Sequence, residues 1–385
     1  MQTNPVPAKG GSRFGWSYLT AASDCPTKWY WRNLAPWPGQ SLTVDPVSRV
    51  LRSGPLGGHL SVGPARTKLS VELSQGHLSV GEPASHLLSV GIESTKFAPA
   101  LDVGSRVHAG LEAWYRSGVR DGHDTQERSR DLAMGAVRDG LSVEATEPER
   151  EAVALAEKLV SNYVALYGTD PSVEVLVFED GTPGVEAELW LDLGYGGYQF
   201  TSRLDLIYRS NGYLYALEHK TTAASAYGKL VQRFILDGQV SGQYLQLASH
   251  FPGEPIGGVT LNAIVKDRAV KSGLPAFSRR TYSRTPAQLE KFRLDMVRKL
   301  AQIDQWIEQF IDLLSNGVDP HDASLAVFDG TPSGTQCVGM GFACEFFELC
   351  ANREVAHRLA LDGFQARNYE HSYSNPLQAG DVGRK

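Results

Sequence analysis

Apolar and polar residues alternate along two neighbouring stretches near the middle of the chain, residues 198–208 and 213–218. An alternation with a period of two is typical of β-strands that bury one face. Residues 210–212, Ser-Asn-Gly, separate the two stretches and are a turn signal. The pattern therefore predicts a β-hairpin at the centre of the chain.

Helical and extended patterns flank this hairpin on both sides. Apolar residues recur at helical spacing over residues 101–115. Residues 146–149 form a capping box in front of a helix over residues 150–167, and residues 285–288 mark the start of another helix. Further predicted elements are strands at residues 173–178, 185–191, 259–265 and 277–282 and a helix at residues 229–250. This order of helices and strands predicts an α/β fold.

Charged residues accompany the hairpin strands. Asp205 lies within the first strand, and Glu218 and Lys220 lie at the end of the second. Because side chains alternate along a strand, Glu218 and Lys220 point to the same face, and the hairpin can bring Asp205 to it. Two carboxylates suit Mg²⁺ or Mn²⁺, and a nearby ammonium can orient a water molecule or steady a phosphate charge. The alternative for each single acid is a solvated strand end, since charged residues are mostly exposed.

Composition places the chain among globular proteins and limits its partners. It has 385 residues, of which 42% are hydrophobic and 21% charged, and its net charge is -6. Apolar runs of about 18 residues are absent from the sequence, as is a signal-peptide apolar region in residues 1–10, so we expect a soluble, cytoplasmic protein with no membrane contact. The net acidity argues against coating nucleic acid by bulk charge. Residues 266–299 nevertheless hold ten Lys or Arg against three acids, which indicates either a phosphate-backbone track or a solvated helix face.

Four cysteines are too few for a disulfide scaffold in a chain of this length. Cys337, Cys344 and Cys350 lie close together near the C-terminus, and Cys25 is the remaining soft ligand. Four thiolates can bind Zn²⁺ or a 4Fe-4S cluster, and the spacing alone does not separate the two. Buried structural cysteines are the alternative.

Residues 39–96 interrupt the pattern of regular elements. LSV triplets begin at residues 60, 69, 78 and 88, in a stretch rich in Gly, Ser and Pro. This repeat is too short for a helical solenoid and offers little surface that could pack into a core. We interpret the stretch as a low-complexity insertion, with a short β-solenoid as the alternative.

The order of these residues resembles that of the PD-(D/E)XK nuclease superfamily, in which an Asp and a later Glu-x-Lys bind the catalytic metals. Asp205, Glu218 and Lys220 are the matching positions. The segment around Cys25, the Gly-x-x-x-His of residues 104–108 and the C-terminal cysteines resemble the RecB-like iron-sulfur nucleases. That group includes the AddB nuclease domain and the CRISPR-associated four-cysteine exonucleases. The resemblance covers residues 14–37 and 97–353.

The resemblance implies roles for individual residues. It implies that Mg²⁺ or Mn²⁺ is bound by His108, Asp205, Glu218 and the main-chain carbonyl of His219. It also implies that Lys220 orients the attacking water. It implies a 4Fe-4S cluster, with Zn²⁺ as the alternative, on Cys25, Cys337, Cys344 and Cys350. It implies DNA contacts from Gln239, Gln243 and Tyr244, in an interval one residue longer than the Gln-x-x-x-Tyr of the family. For His108 and the DNA-contact residues, ordinary core or surface groups are the alternatives.

The resemblance also implies the architecture and the function. The expected fold is an α/β PD-(D/E)XK restriction-endonuclease-like core, a central mixed sheet flanked by helices, with an iron-sulfur cluster joining the N- and C-terminal segments. The expected divisions are an N-terminal segment with the first cluster cysteine (1–38), the repeat insertion (39–96), the nuclease core (97–330) and a C-terminal cluster-binding segment with a polar tail (331–385). The expected activity is metal-dependent exonuclease cleavage of DNA ends or single strands in recombination, repair or phage DNA processing, with recombination or repair proteins as partners. The alternatives are a DNA-end-binding or assembly module that does not cleave and a four-cysteine zinc protein.

Overall fold

The computed structural model describes residues 19–22, 25–33, 35, 41–45, 50–54, 92–94, 99–121, 126–168, 170–195, 198–266, 276–328, 337, 344–352 and 364–366. The LSV repeats and the C-terminal tail lie outside these ranges. The described residues form two compact units. The first, here called the sheet unit, comprises those of Phe97–Leu191 and Ser202–Phe292. The second, here called the terminal unit, comprises those of Met1–Lys96, Asp192–Thr201 and Arg293–Tyr373.

Helices and strands follow one another along both units. The helices are α1 (Pro26–Asn33), α2 (Pro99–Asp121), α3 (Gln126–Arg138), α4 (Glu147–Tyr167), α5 (Tyr227–Leu236), α6 (Gly238–His250), α7 (Pro286–Ser315), α8 (Pro320–Phe328) and α9 (Phe347–Ala351). The strands are β1 (Ser41–Asp45), β2 (Val50–Gly54), β3 (Ile92–Ser94), β4 (Glu174–Val175), β5 (Val185–Asp192), β6 (Gln199–Ser210), β7 (Tyr213–Thr222), β8 (Ile256–Val265), β9 (Phe277–Tyr282) and β10 (Phe364–Ala366). Within the described ranges, none of the helices combines the length and apolar character that a membrane span requires.

A six-stranded mixed sheet forms the centre of the sheet unit. Its strand order is β4-β6-β7-β8-β9, and β5 also pairs with β6. Strands β6 and β7 are antiparallel, as are β8 and β9, whereas β7 and β8 are parallel. The parallel pair needs a crossover connection, which α5 and α6 provide. The predicted α/β fold with a mixed sheet and flanking helices is confirmed.

The hairpin between β6 and β7 closes at the turn that the sequence predicts. Asn211 and Gly212 have φ angles of 50° and 78°. A two-residue type I′ turn requires left-handed backbone at both positions, and Asn-Gly adopts it at low cost. The resulting register pairs Leu206 with Leu217. Asp205 and Glu218 therefore lie at the same level of the two strands, one position beyond that pair.

Apolar residues pack against both faces of the sheet. On one face α2, α3 and α4 contribute residues such as Val107, Val137 and Val160 to a single buried cluster. On the other face α5 and α6 contribute Phe234, Val240 and Leu247 to a second cluster. Gly110 allows the three helices of the first face to approach one another, since a Cβ added there would lie 2.7 Å from a methyl group of Val137. The core therefore consists of two helical layers around one sheet.

Two predicted elements differ from the structure. The helix predicted at residues 229–250 is two helices, α5 and α6, because Asp237 between them has extended backbone and caps α6 by accepting a hydrogen bond from the Gln239 backbone N–H. The strand predicted at residues 173–178 is reduced to β4, because the chain turns back at Gly181, whose φ is 83°. The capping boxes predicted at residues 146–149 and 285–288 are confirmed.

The terminal unit joins residues that are far apart in the sequence. The Thr27 hydroxyl of α1 donates to the carbonyl oxygen of Phe328, 301 positions away, at 2.6 Å. The Trp29 ring stacks on that of Phe328 with centroids 5.8 Å apart. The terminal unit includes α7 from Arg293 onward. Within the predicted insertion, the described residues form β1, β2 and β3.

Candidate metal centre

Helix α2 carries His108 to the sheet. Gly104, one helical turn earlier, lies against the end of β7, where an added Cβ would be 3.1 Å from the Thr221 hydroxyl. The missing side chain therefore permits a close approach of helix and strand. His108 Nδ1 lies 3.4 Å from Asp205 Oδ1. The structure thus brings together two of the residues that the sequence proposes as metal ligands.

The hairpin acids are buried and hydrogen-bonded. Asp205 is 9% exposed and Glu218 is 3% exposed, so they are not solvated strand ends. Asp205 Oδ2 accepts a hydrogen bond of 2.6 Å from the His219 backbone N–H, which connects β6 to β7. Glu218 pairs with the Lys220 ammonium through one oxygen and accepts a hydrogen bond of 2.6 Å from Gln243 Nε2 through the other.

Glu186 belongs to the site although the sequence reasoning did not single it out. Ligand atoms of His108, Glu186 and Asp205 all lie within 4.8 Å of one another. In the described part of the chain this is the group of three with metal-ligand geometry, and Glu218 is not a member of it. Arg203 Nε lies 2.7 Å from Glu186 Oε2. With Asp205 and Glu218, Glu186 is therefore a third acid of the site, which the sequence pattern did not predict.

The backbone at Glu186 explains why an alternating pattern does not predict it. Its φ is 49°, in the left-handed region that is costly for a side chain with a Cβ. Val185 packs in the cluster on one face of the sheet and Ala187 in the cluster on the other, although residues two apart on a regular strand share a face. Leu204 and Leu206, on either side of Asp205, are divided in the same way. The strand pleat is interrupted at both acids.

The charges of the site act strongly on one another. Burial lowers the pKa of His108, but the carboxylates of Asp205 and Glu218 outweigh it and raise that pKa to about 9. Burial would raise the pKa of Asp205, yet His108 beside it holds that pKa well below its usual range. Burial and, to a lesser extent, repulsion from Asp205 raise the pKa of Glu218. The same two effects raise the pKa of Glu186 to about 8. Burial lowers the pKa of Lys220, but Glu218 outweighs it, so the amine keeps its proton. These clustered carboxylates repel one another, a condition that a bound cation relieves.

The side chain of His219 points away from these acids into the core. It is 2% exposed, and burial lowers its pKa to about 3, so the ring is neutral. Its Nδ1 lies 2.6 Å from Asn262 Nδ2, and the ring of Tyr115 stacks against it at 6.2 Å. A neutral imidazole that accepts a hydrogen bond on Nδ1 fixes the orientation of the strand residue between Glu218 and Lys220.

Part of the basic stretch at residues 266–299 lies inside the protein. Arg279 pairs with Asp170 at 2.7 Å, and its Nη2 donates to the hydroxyl of Tyr163 at 2.9 Å. Its guanidinium also stacks 3.8 Å above the ring of Tyr167. This arginine therefore stabilises the core, whereas Arg280 and Arg298 are exposed.

The three predicted DNA-contact residues lie on α6 in different environments. Gln243 is 1% exposed and contacts Glu218. The Tyr244 hydroxyl donates to the carbonyl oxygen of Ile256 at 3.2 Å. Gln239 is half-buried near the start of the helix. Gln243 is therefore placed to act on a carboxylate of the site.

The cysteines lie in the terminal unit, at its two ends in the sequence. The Cys344 backbone N–H donates to the carbonyl oxygen of Cys337 at 2.7 Å, and Cys350 lies on the short helix α9. Burial raises the pKa of the Cys344 thiol, and Cys25 is among the groups that act on it. Arg32 of α1 lies 3.7 Å from Glu345. Cys25 and Cys344 are therefore near enough to interact.

The family model of the PD-(D/E)XK nuclease superfamily matches residues 83–350. No curated protein matches the chain. A solved structure entitled "Crystal structure of SSO0001" is similar at 15% identity over 51% of this chain and 74% of that one, with a TM-score of 0.24 that supports no further comparison. Superfamily members are typically nucleases that use divalent metals, and the match covers every residue of the candidate centre. The chain belongs to the PD-(D/E)XK nuclease superfamily.

Proposed function

We propose that this protein is a Mg²⁺- or Mn²⁺-dependent deoxyribonuclease that digests DNA from its ends. The observation that carries the proposal is a group of His108, Glu186 and Asp205 next to a buried Glu218–Lys220 pair. Imidazole and carboxylate oxygens are ligands that Mg²⁺ and Mn²⁺ accept. Repulsion from Asp205 raises the pKa of both Glu186 and Glu218, and this crowding of carboxylates supports a divalent cation there.

In this proposal His108, Asp205, Glu186 and Glu218 would hold the cation, together with the main-chain carbonyl of His219. A bound cation would supply positive charge to the scissile phosphate and make the attacking water more acidic. The Lys220 ammonium, fixed by Glu218, orients that water and donates a hydrogen bond to it. Gln243 holds the opposite oxygen of Glu218, so the carboxylate keeps one rotamer.

Replacing Glu186 with glutamine is expected to weaken Mn²⁺ binding about 10- to 100-fold, the range typical of losing one group that supports a metal site. The amide keeps the shape of the side chain but removes a charge from the group. Isothermal titration of the purified protein with Mn²⁺ measures the effect. Glu188→Gln, two residues further along β5, is the matched control and should bind Mn²⁺ as the unaltered protein does. Equal affinities for all three proteins would place the cation elsewhere.

Replacing Gln243 with leucine is expected to lower kcat about 10- to 100-fold and to leave the KM for DNA unchanged. The reason is that Gln243 is buried and donates to Glu218. Steady-state rates over a range of DNA concentrations separate the two constants. A higher KM with an unchanged kcat would show that Gln243 contacts DNA, as the sequence predicts. Gln239→Leu, one helical turn earlier, tests that contact at the other predicted position.

We further propose that Cys25, Cys337, Cys344 and Cys350 bind a 4Fe-4S cluster that joins the two ends of the terminal unit. The proximity of Cys25 to Cys344 and the contact between α1 and α8 support it. Thiolates select a softer metal than the oxygen ligands around Asp205, so the two sites are chemically separate. Zn²⁺ is the alternative occupant. Metal analysis of anaerobically purified protein decides between about four irons and one zinc for each chain.

The biological setting that we propose is DNA recombination, repair or phage DNA processing in a reducing compartment. A DNA-end-binding module that does not cleave is the competing function. Glu218 pairs directly with Lys220 and accepts a hydrogen bond from Gln243, which favours the nuclease. Incubation of linear and covalently closed circular DNA with Mg²⁺ distinguishes the functions. An exonuclease degrades the linear form, and a binding module retards it without degrading it.

A further inference from the structure

Helix α5 begins soon after the Glu218–Lys220 pair and ends at an exposed apolar tip. Ile235 is 53% exposed and Leu236 is 86% exposed. Two adjacent exposed aliphatic side chains form a small apolar patch, the kind of surface that can contact another molecule. These two residues, here called the α5 tip, lie at the junction between α5 and α6.

The junction that presents this tip is held rigidly. Arg284, which lies between β9 and α7, donates to the Asp237 carbonyl oxygen at 3.2 Å and to the Ser241 hydroxyl at 3.0 Å. Asp237 also caps α6, since its side chain accepts from the Gln239 backbone N–H at 3.0 Å. These hydrogen bonds therefore fix the position of the apolar pair at the junction.

The tip lies beside the candidate centre. Asp237, the next residue, is among the groups whose charge acts on the Lys220 ammonium. Helix α6, which starts at this junction, carries Gln243 to Glu218. Gln243 is six residues after Asp237, and six residues of α-helix rise about 9 Å, which corresponds to about two or three nucleotides of a DNA strand.

A basic track on α5 leads to the tip. Lys229, Gln232 and Arg233 are exposed and fall at positions i, i+3 and i+4, with Leu236 at i+7, so all four share one helical face. The helix contains no acid. The Arg233 side chain is 66% exposed, and its pairing with Asp237 is 3.4 Å long. A cationic track complements the phosphate backbone of a nucleic acid strand.

We propose that Ile235 and Leu236 form a wedge that inserts between the terminal base pairs of duplex DNA, while Lys229 and Arg233 bind the backbone of the strand that passes to the metal centre. This inference rests on the proposed nuclease function and deepens it, because it names the end of a duplex as the substrate. Apolar Leu and Ile side chains inserted at base steps unstack them, and the adjoining cations hold the separated strand. A terminal nucleotide must leave its partner before it reaches a buried active site.

The test compares single-stranded and blunt duplex DNA as substrates for the full-length double variant Ile235→Ser/Leu236→Ser. The expected result is an unchanged rate on single strands and a loss of about tenfold or more on the duplex, since unstacking now lacks the wedge. Mismatches at the duplex end should restore the rate. Val143→Ser, which removes a 99% exposed apolar residue between α3 and α4, is the matched control and should digest both substrates normally.

A second readout does not depend on cleavage. A 2-aminopurine base in the terminal base pair becomes more fluorescent when it is unstacked. With EDTA present, the unaltered protein should increase the fluorescence of this DNA. The double variant should bind the DNA without the increase. Equal losses on both substrates, or an unchanged duplex rate, would overturn the wedge. Loss of self-association in sedimentation, with a normal duplex rate, would instead identify the tip as an interface between copies. If the unaltered protein digests neither substrate, the nuclease function fails, and the fluorescence still reports on the wedge.

Discussion

Replacing Asp205 with asparagine is expected to reduce DNA cleavage by at least about a thousandfold, the upper end of the loss seen when one stabilising group is removed from an active site. Asp205 has two tasks, since one oxygen faces His108 and the other accepts the His219 backbone N–H. An amide carries no charge for a cation and presents an N–H to one of these two neighbours. Initial rates on end-labelled DNA at saturating Mg²⁺ measure the loss.

The matched control for this variant is Asp180→Asn. Asp180 is exposed and also accepts a backbone N–H, that of Thr182 at 2.8 Å, so the chemical change is the same. We expect wild-type rates from the control and unchanged circular dichroism from both variants. An Asp205→Asn protein that digests DNA at a normal rate would remove Asp205 from the proposed mechanism.

Replacing Cys25 with serine is expected to remove the brown colour of anaerobically purified protein and to lower its melting temperature by about 10 °C, because metal binding that requires the folded arrangement is folding free energy. Cys25 precedes α1, which packs against α8 through Thr27 and Trp29. Loss of the cluster should therefore loosen both ends of the chain at once. Absorbance and differential scanning calorimetry on the same sample give the two readouts.

The comparison variant is Arg32→Gln, which removes a contact between the same two ends without touching a thiolate. The Arg32–Glu345 pair is 3.7 Å long and partly exposed, and such pairs contribute about 0.2–1 kcal/mol. Its melting temperature should fall by only about 1–4 °C, with the colour kept. Colourless Cys25→Ser protein with unchanged stability would show that the cluster is not structural.

Much of the fold is predictable from local patterns. The hairpin follows from alternation and from Asn211-Gly212, whose left-handed backbone few other residue pairs adopt at low cost. The start of α4 was likewise predictable from neighbouring residues, because residues 146–149 form a capping box. The break at Asp237 was missed, because the apolar pattern continues across it, although Asp-Gly is itself a capping signal.

The site was harder to predict than the fold. Asp205, Glu218 and Lys220 are near in sequence on one hairpin, so the register of its two strands is enough to bring them together. Glu186 joins them through a strand irregularity with φ of 49°, which reverses the face on which the side chain lies. Sequence periodicity contains no signal for that irregularity. The partner of His219, Asn262, depends on the parallel pairing of β7 with β8, a contact between residues far apart in sequence.

The most direct test of the proposed function is digestion of linear DNA, labelled at one end, by the anaerobically purified chain with Mg²⁺ or Mn²⁺ and with EDTA. Labelled nucleotides are expected to be released only with the metal, covalently closed circular DNA is expected to stay intact, and Glu218→Gln protein is expected to release nothing. Digestion that continues in EDTA, or that the Glu218→Gln protein performs at the normal rate, would contradict it. So would intact linear DNA after incubation with metal-loaded protein.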